Sequence, residues 1–171
     1  MKKNFNGFTM IELLITIAII GILTAALFFN YGPIQDNFTL QKSAQKLAQD
    51  LRRIQEMAMA AEKEKCNGSE TSNFGVYFNT ESNNKYIIFA DCDNSKTRNE
   101  GDIDVETISL EKKVEISVLS LSPLNVVFIP PDPTTLINND KLITRAEVTL
   151  SLGDNKNKTV EINNAGRIVI K

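Results

Sequence analysis

Gly7-Phe8-Thr9-Met10-Ile11-Glu12-Leu13-Leu14 opens an apolar run that ends near Phe29. Lys2 and Lys3 precede it. From Leu13 to Phe29 there is no charge, and from Phe8 to Phe29 there is one, Glu12. At about 1.5 Å per residue the run makes a helix of roughly 33 Å, which covers a bilayer core of about 30 Å. No further base occurs until Lys42. The bias of positive charge toward the cytoplasm therefore places the N-terminus inside and the rest of the chain outside.

Glu12 is the anomaly in that run. A carboxylate in a spanning helix costs several kcal/mol unless it is paired, and such residues are functional by default. No Lys or Arg lies within one helical turn of it. If the chain were cut after Gly7, the new α-amino group of Phe8 would be a cation at the edge of the same apolar helix. Glu12 of one copy would then neutralise the Phe8 amine of a neighbour and drive helices together side by side. An ordinary signal peptide needs small residues before a polar mature start. Here Thr24-Ala25-Ala26 is followed by Leu27-Phe28-Phe29, a poor cleavage site.

The remaining part of the 171-residue chain is long enough for one domain with its own core. Charged residues make up 23% and hydrophobic ones 42%, a globular rather than a disordered balance. Histidine is absent and there are two cysteines. This excludes Ser-His-Asp and Cys-His catalysis and leaves too few ligands for a Cys/His zinc site. A net charge of −2 does not advertise nucleic-acid binding. The charge is uneven: Cys66 to Asp132 holds five bases against eleven acids, a net of −6. Thr134 to Lys171 holds six bases against four acids, a net of +2.

Asn30-Tyr31-Gly32-Pro33 interrupts the first helix, because proline removes a hydrogen bond and crowds the preceding turn. Helix resumes by about Asp36. Leu40, Ala44, Leu47, Leu51, Ile54, Ala58 and Ala61 recur at spacings of four and three and form one apolar stripe. Gln41, Gln45, Gln49, Arg52, Arg53 and Glu56 lie on the other face. The stripe predicts a helix packed on a sheet and stopping near Lys65, before Asn67-Gly68. Beyond Gly68 the pattern changes to short β-rich runs. Phe74–Phe78 and Tyr86–Phe89 predict one hairpin and Val105–Leu110 with Val114–Leu119 a second, while Ala146–Leu152 and Thr159–Ile162 flank a polar loop rich in Asn and Lys. Val126–Ile129 is stopped by Pro130-Pro131-Asp132-Pro133, which is expected to project from the sheet. Arg167–Ile170 closes the chain. One long helix followed by strands predicts an α+β fold with an antiparallel sheet. The divisions are 1–7, a leader; 8–29, a membrane helix; 30–65, a kink and an amphipathic helix; and 66–171, a β-rich domain.

The stretch from Gly7 to Leu14, after a short basic leader, resembles the signal of type IV pilins and pseudopilins. The resemblance implies cleavage after Gly7 by a prepilin peptidase, N-methylation of Phe8, and Glu12 as the assembly carboxylate. The body resembles the GspH/FimT family of minor pilins and pseudopilins. That likeness rests on Arg52-Arg53, Phe74-Gly75-Val76-Tyr77-Phe78, Tyr86-Ile87-Ile88-Phe89-Ala90-Asp91, Val126–Pro130 and Gly166-Arg167-Ile168-Val169-Ile170, in that order. The implied protein is a structural subunit, not an enzyme, without a cofactor. Its partners are the membrane, the peptidase and other pilin subunits of a type II secretion pseudopilus or a type IV pilus. Some members bind DNA through a C-terminal Gly-Arg-x-Arg. Gly166-Arg167-Ile168 matches it, but Val169 stands where the second arginine would be. A DNA-binding subunit for DNA uptake is the alternative reading, and it would use Lys156, Lys158, Arg167 and Lys171.

Two further features are legible. Cys66 and Cys92 fall outside the membrane in this topology, where they are either free thiols or a disulfide. A disulfide would close a loop of about 25 residues and contribute about 3 kcal/mol. Asp91-Cys92-Asp93-Asn94-Ser95 begins like a calcium loop, with Asp102 eleven residues after Asp91. Its sixth position is Lys96 rather than the glycine a calcium loop needs, so no metal is expected.

Overall fold

A computed structural model describes residues 7–28, 31–131, 134–153 and 156–171. The chain divides into two compact units, Met1–Asn37 and Phe38–Lys171. It is an α+β protein: an apolar N-terminal helix, then a second helix packed on antiparallel sheets.

Within the first unit, helix α1 runs from Met10 to Phe28. Its 19 residues span about 28 Å. Met10, Ile11, Leu14, Ile17, Ile20 and Leu23 are all exposed, so the helix is apolar around its whole circumference. Such a helix belongs in a protein core or a membrane. Its two interior hydroxyls are satisfied within the helix. Thr16 Oγ1 donates to Leu13 O at 2.9 Å, and Thr24 Oγ1 donates to Ile20 O at 2.7 Å. No polar group of these side chains is left to be paid for in lipid.

Helix α2 runs from Tyr31 to Met59. It begins earlier than the expected Asp36, because Pro33 falls in its first turn, where a missing N–H has no acceptor to lose. Of the interruption expected at Asn30-Tyr31-Gly32-Pro33, Tyr31, Gly32 and Pro33 are helical, and Asn30 lies outside the described residues. From Phe38 onward α2 belongs to the second unit. Leu40, Ala44, Leu47, Leu51, Ile54 and Ala58 are buried as the stripe predicts, and Ser43 and Ala48 widen it. The helix ends short of the expected Lys65. Ala61, at φ 51°, takes the left-handed position; its N–H bonds to Ala58 O at 2.9 Å, and the Glu62 N–H bonds to Met57 O at 3.1 Å. This is the paired bonding that caps a helix C-terminus, here built on alanine rather than glycine. Ala61 is therefore exposed rather than part of the stripe. Asn67-Gly68 is the turn of a small hairpin between β1 (Glu64–Cys66) and β2 (Ser69–Thr71), not a helix stop.

Two larger sheets follow. The five-stranded sheet contains β3 (Phe74–Phe78), β4 (Lys85–Ala90), β5 (Ile103–Ser109), β7 (Leu124–Ile129) and β8 (Thr134–Ile137), in the order β5-β4-β3-β7-β8. The four-stranded sheet contains β6 (Val114–Leu119), β9 (Arg145–Leu152), β10 (Asn157–Asn163) and β11 (Ile168–Ile170), in the order β11-β10-β9-β6. The β3–β4 hairpin forms as the sequence predicts, and the two runs flanking the Asn- and Lys-rich loop pair as β9 and β10. The hairpin expected from Val105–Leu110 and Val114–Leu119 does not form. β5 pairs with β4, and β6 pairs with β9, so the chain crosses between sheets at Glu111-Lys112-Lys113. The Asn83-Asn84 turn holds the crossing: Leu110 N donates to Asn84 O at 2.8 Å and Ile116 N to Asn83 O at 2.7 Å. Beyond Ile129 the chain turns back through Pro130 and Pro131 into β8, which pairs antiparallel with β7.

The α2 stripe and the inner faces of both sheets share one core. It holds Phe74, Val76, Phe78, Tyr86 and Ile88 from one sheet and Val148, Leu150, Val160 and Ile162 from the other. Polar links tie α2 to the five-stranded sheet. The Tyr86 hydroxyl donates to Asp50 Oδ2 at 2.6 Å, and Arg53 pairs with Glu106 at 2.6 Å. Burial, then the bond to Asp50, pushes the Tyr86 hydroxyl pKa well above its ordinary value. A folded-state pKa raised above the unfolded one contributes stability that is complete below about pH 10 and lost as pH rises beyond it. In urea unfolding at pH 8 and pH 11, the parent is expected to lose more stability between the two than Tyr86→Phe does. Equal losses would show that Tyr86 does not carry the effect.

Candidate functional site

The first site is the start of α1. Gly7 and Phe8 lie just before the helix and are exposed. Thr9 is its N-cap. Glu12 N donates to Thr9 Oγ1 at 3.3 Å, and Thr9 N donates to Glu12 Oε2 at 3.5 Å. Thr9-Met10-Ile11-Glu12 is thus a capping box, which satisfies two of the helix's four orphan N–H groups. Sequence reading singled out Glu12 for its charge and missed Thr9, although the Thr-x-x-Glu spacing was there to be read. The box folds the carboxylate over the positive end of the helix, where a negative charge is favoured. Lys2 and Lys3 lie outside the described residues.

The second feature is the loop that follows β4. Cys66 and Cys92 form a disulfide with Cα atoms 5.7 Å apart, linking β1 to this loop. Asp91, Asp93 and Asp102 place carboxylate oxygens within 4.8 Å of one another. The loop's own N–H groups bond to all three. Asp91 accepts from Ser95 N at 2.9 Å and Lys96 N at 3.2 Å, and Asp93 accepts from Ser95 N at 2.9 Å. Asp102 accepts from Cys92 N and Asn99 N, each at 2.9 Å. The Lys96 ammonium sits 3.6 Å from Asp91 Oδ2 and also bonds to Asn94 Oδ1. Burial pushes the Asp91 carboxyl pKa up, and the Lys96 charge pulls against it. The Ser95 hydroxyl and the Asn99 amide hold Asp93 below the usual carboxylate range. Lys96, at the position where a calcium loop turns on glycine, adopts φ 68° and brings its own cation.

The loop lies over the outer face of the five-stranded sheet. Tyr77 and Asn125 alternate with core residues and so point away from the core. The Arg98 guanidinium stacks 5.2 Å from the Tyr77 ring centroid, and Arg98 N donates to Asn125 Oδ1 at 2.9 Å. Arg98 also grips Asp104 with two bonds, of 2.7 and 2.8 Å.

The third feature is the outer face of the four-stranded sheet, which carries the C-terminal bases. Ala146, Ile162 and Ile168 face the core, so Arg145, Asn163 and Arg167 face outward in one row across three strands. In the next row stand Glu147, Glu161 and Val169. The Lys171 ammonium bonds to Glu161 and lies 3.5 Å from Glu147. The Lys171 bond, and to a lesser degree the Arg145 charge, hold the Glu161 carboxyl below its ordinary range. Lys158 pairs in register with buried Leu150 and so belongs to the inward set of positions. Lys156 lies at the far end of the sheet, beside Gly153 and Asn157. The structure therefore does not gather Lys156, Lys158, Arg167 and Lys171 on one face.

Residues 2–28 match the family model of the prokaryotic N-terminal methylation motif. The match covers the capping box, Glu12 and the whole of α1 up to Phe28. It supports a type IV pilin-like protein and indicates a structural subunit anchored by its N-terminal helix. It does not reach residues 29–171. No curated protein and no solved structure matches the chain at a significant level.

Proposed function

We propose that this chain is a membrane-inserted subunit of a type IV pilin-like filament. A prepilin peptidase cleaves it after Gly7, Phe8 becomes the methylated N-terminus, and Glu12 meets the Phe8 amine of a neighbouring subunit. The N-terminus starts in the cytoplasm and Phe38–Lys171 lies outside the membrane. The observation that carries this reading is a capped, uniformly apolar helix with its one charge, Glu12, in the first turn. A buried carboxylate without a countercharge is costly, and a neighbour's amine supplies one. The order of motifs in the body favours a minor pilin or pseudopilin of the GspH/FimT kind.

The test is the mass of the mature chain isolated from membranes. The expected species begins at Phe8 and is heavier by one methyl group on its α-amine. A chain that keeps Met1, or one that begins after Ala26 in the manner of an ordinary signal peptide, would overturn the proposal.

A further inference from the structure

One cavity of the second unit takes no part in this reading. It lies on the outer face of the five-stranded sheet, at the turn end of the β3–β4 hairpin, and has a volume of about 220 Å³. Its walls come from three pieces of chain. Tyr77, Asn79, Lys85 and Ile87 belong to the hairpin, Ser82 to the short helical turn Thr80–Ser82 between the two strands, and Arg98 to the disulfide-tethered loop.

Strand alternation brings these residues together. Phe78, Tyr86 and Ile88 face the shared core, so Tyr77, Lys85 and Ile87 face outward. Tyr77 and Ile87 are direct cross-strand partners, and Lys85 stands two residues before Ile87 on the same face. Arg98 stacks on the Tyr77 ring, and its charge is taken up by its two bonds to Asp104. Lys85 is left as the unneutralised charge of the cavity. It is half-buried and forms no ion pair among the described residues, and no carboxylate lines the cavity with it.

The other polar groups of the cavity are also unused. The Tyr77 and Ser82 hydroxyls have no hydrogen-bond partner among the described residues. Asn79 Oδ1 accepts from Glu81 N at 2.9 Å, and the Asn79 amide N–H groups have no acceptor among the described residues. An ammonium, an amide and two hydroxyls around Ile87 make a space rich in donors and short of acceptors. The acidic loop does not supply acceptors, because Asp91, Asp93 and Asp102 bond to the N–H groups of their own loop. A cation beside several free donors is what an oxyanion requires. Drug-sized ligands take clefts of about 300–1,000 Å³. A space of about 220 Å³ therefore suits a molecule the size of one sugar or one amino acid.

We propose that this cavity binds a small oxyanion, a carboxylate or phosphate carried on a molecule of that size. Lys85 is its counterion, and Tyr77, Asn79 and Ser82 donate hydrogen bonds to it. This gives the Phe38–Lys171 unit a ligand of its own, and it depends neither on cleavage after Gly7 nor on Glu12.

The test uses the full-length chain in a polyoxyethylene detergent, which carries neither sugar nor phosphate. It reads saturation transfer from protein protons to three probes: glucuronate, glucose phosphate and glucose. Transfer to at least one anion is expected to exceed transfer to glucose several-fold, and which anion responds tells carboxylate from phosphate. Lys85→Met keeps the apolar stem and should reduce that transfer to the level of glucose. Tyr77→Phe keeps the ring beneath Arg98 and should weaken the transfer several-fold. Lys141→Met, outside the cavity, should leave it unchanged. Retention of the parent's thermal transition by Lys85→Met and Tyr77→Phe shows that the fold is intact in each. No transfer to either anion, equal transfer to glucose, transfer kept in Lys85→Met, or an equal loss in Lys141→Met would overturn the proposal.

Discussion

Glu12→Ala is expected to abolish entry into filaments while leaving insertion and N-terminal cleavage intact. The substitution removes the one charge of a helix whose other residues are apolar or hydroxylic. Insertion should become easier, because a carboxylate in the bilayer costs about 2.5–3.5 kcal/mol on insertion scales and alanine costs far less. Assembly should fail for the reverse reason. The Phe8 amine of a neighbour would then enter an apolar helix bundle with no carboxylate to receive it, and an unpaired charge there is strongly unfavourable. Glu12→Ala also removes one half of the capping box, which costs about 1 kcal/mol at the helix end. That loss is local and should not eject a helix of 19 residues from the membrane. Glu12→Gln divides the two contributions: an amide can still accept the Thr9 N–H but carries no charge. Filament fractions should lack both variants, while membrane fractions hold the processed chain. Assembly of Glu12→Gln at the parent level would mean that the cap, not the charge, is what the filament needs.

The parts of the molecule set by local periodicity could be read before the structure. The stripe from Leu40 to Ala58 repeats on a 3.6-residue period, and every one of those positions is buried. Phe74–Phe78 and Tyr86–Phe89 are long β-rich runs with one turn between them, and they pair. Failures came where local and long-range preferences compete. Val105–Leu110 and Val114–Leu119 read as neighbours because three polar residues separate them. Each strand nevertheless finds a better partner elsewhere, since Ile108 lies beside Tyr86 while Val114 and Ile116 lie beside Leu152 and Leu150. The β8 strand has four residues directly after a proline cluster and carries no periodic signal of its own. The end of α2 was hidden because alanine, rather than glycine, holds the left-handed position. At the site, Glu12 stood out as a charge in an apolar run. Thr9 did not, because a hydroxyl there breaks no pattern and its role depends on the helix starting at Met10.

Gly75→Val is expected to destabilise the Phe38–Lys171 unit more than any single surface change. A Cβ at Gly75 would lie 2.6 Å from Phe89 Cζ, 2.7 Å from Phe89 Cε1 and 2.9 Å from Val127 Cγ2. Phe89 and Val127 are both fully buried on the outer face of the five-stranded sheet. Phe89 is opposite Gly75 on one side, and Val127 is opposite on the other. The Phe89 ring therefore lies across the space that only a glycine leaves open. Alanine in a strand would ordinarily gain about 0.5–1 kcal/mol over glycine from reduced backbone entropy. Here the sign should reverse, because extra atoms in a packed core cost about 1–3 kcal/mol. Gly75→Ala should lower Tm by several degrees, at roughly 2–6 °C per kcal/mol for a domain of this size. Gly75→Val, with two more methyl groups, should lower it further. Phe89→Leu should recover part of the loss in the Gly75→Ala background, although alone it removes buried surface and destabilises. That reversal is the decisive reading, since a generic loss of strand quality would make the two changes additive. Thermal unfolding followed by circular dichroism measures the parent and all four variants. A Gly75→Ala chain as stable as the parent would show that Phe89 has another place to go, and with it that the face beneath the acidic loop is loosely packed.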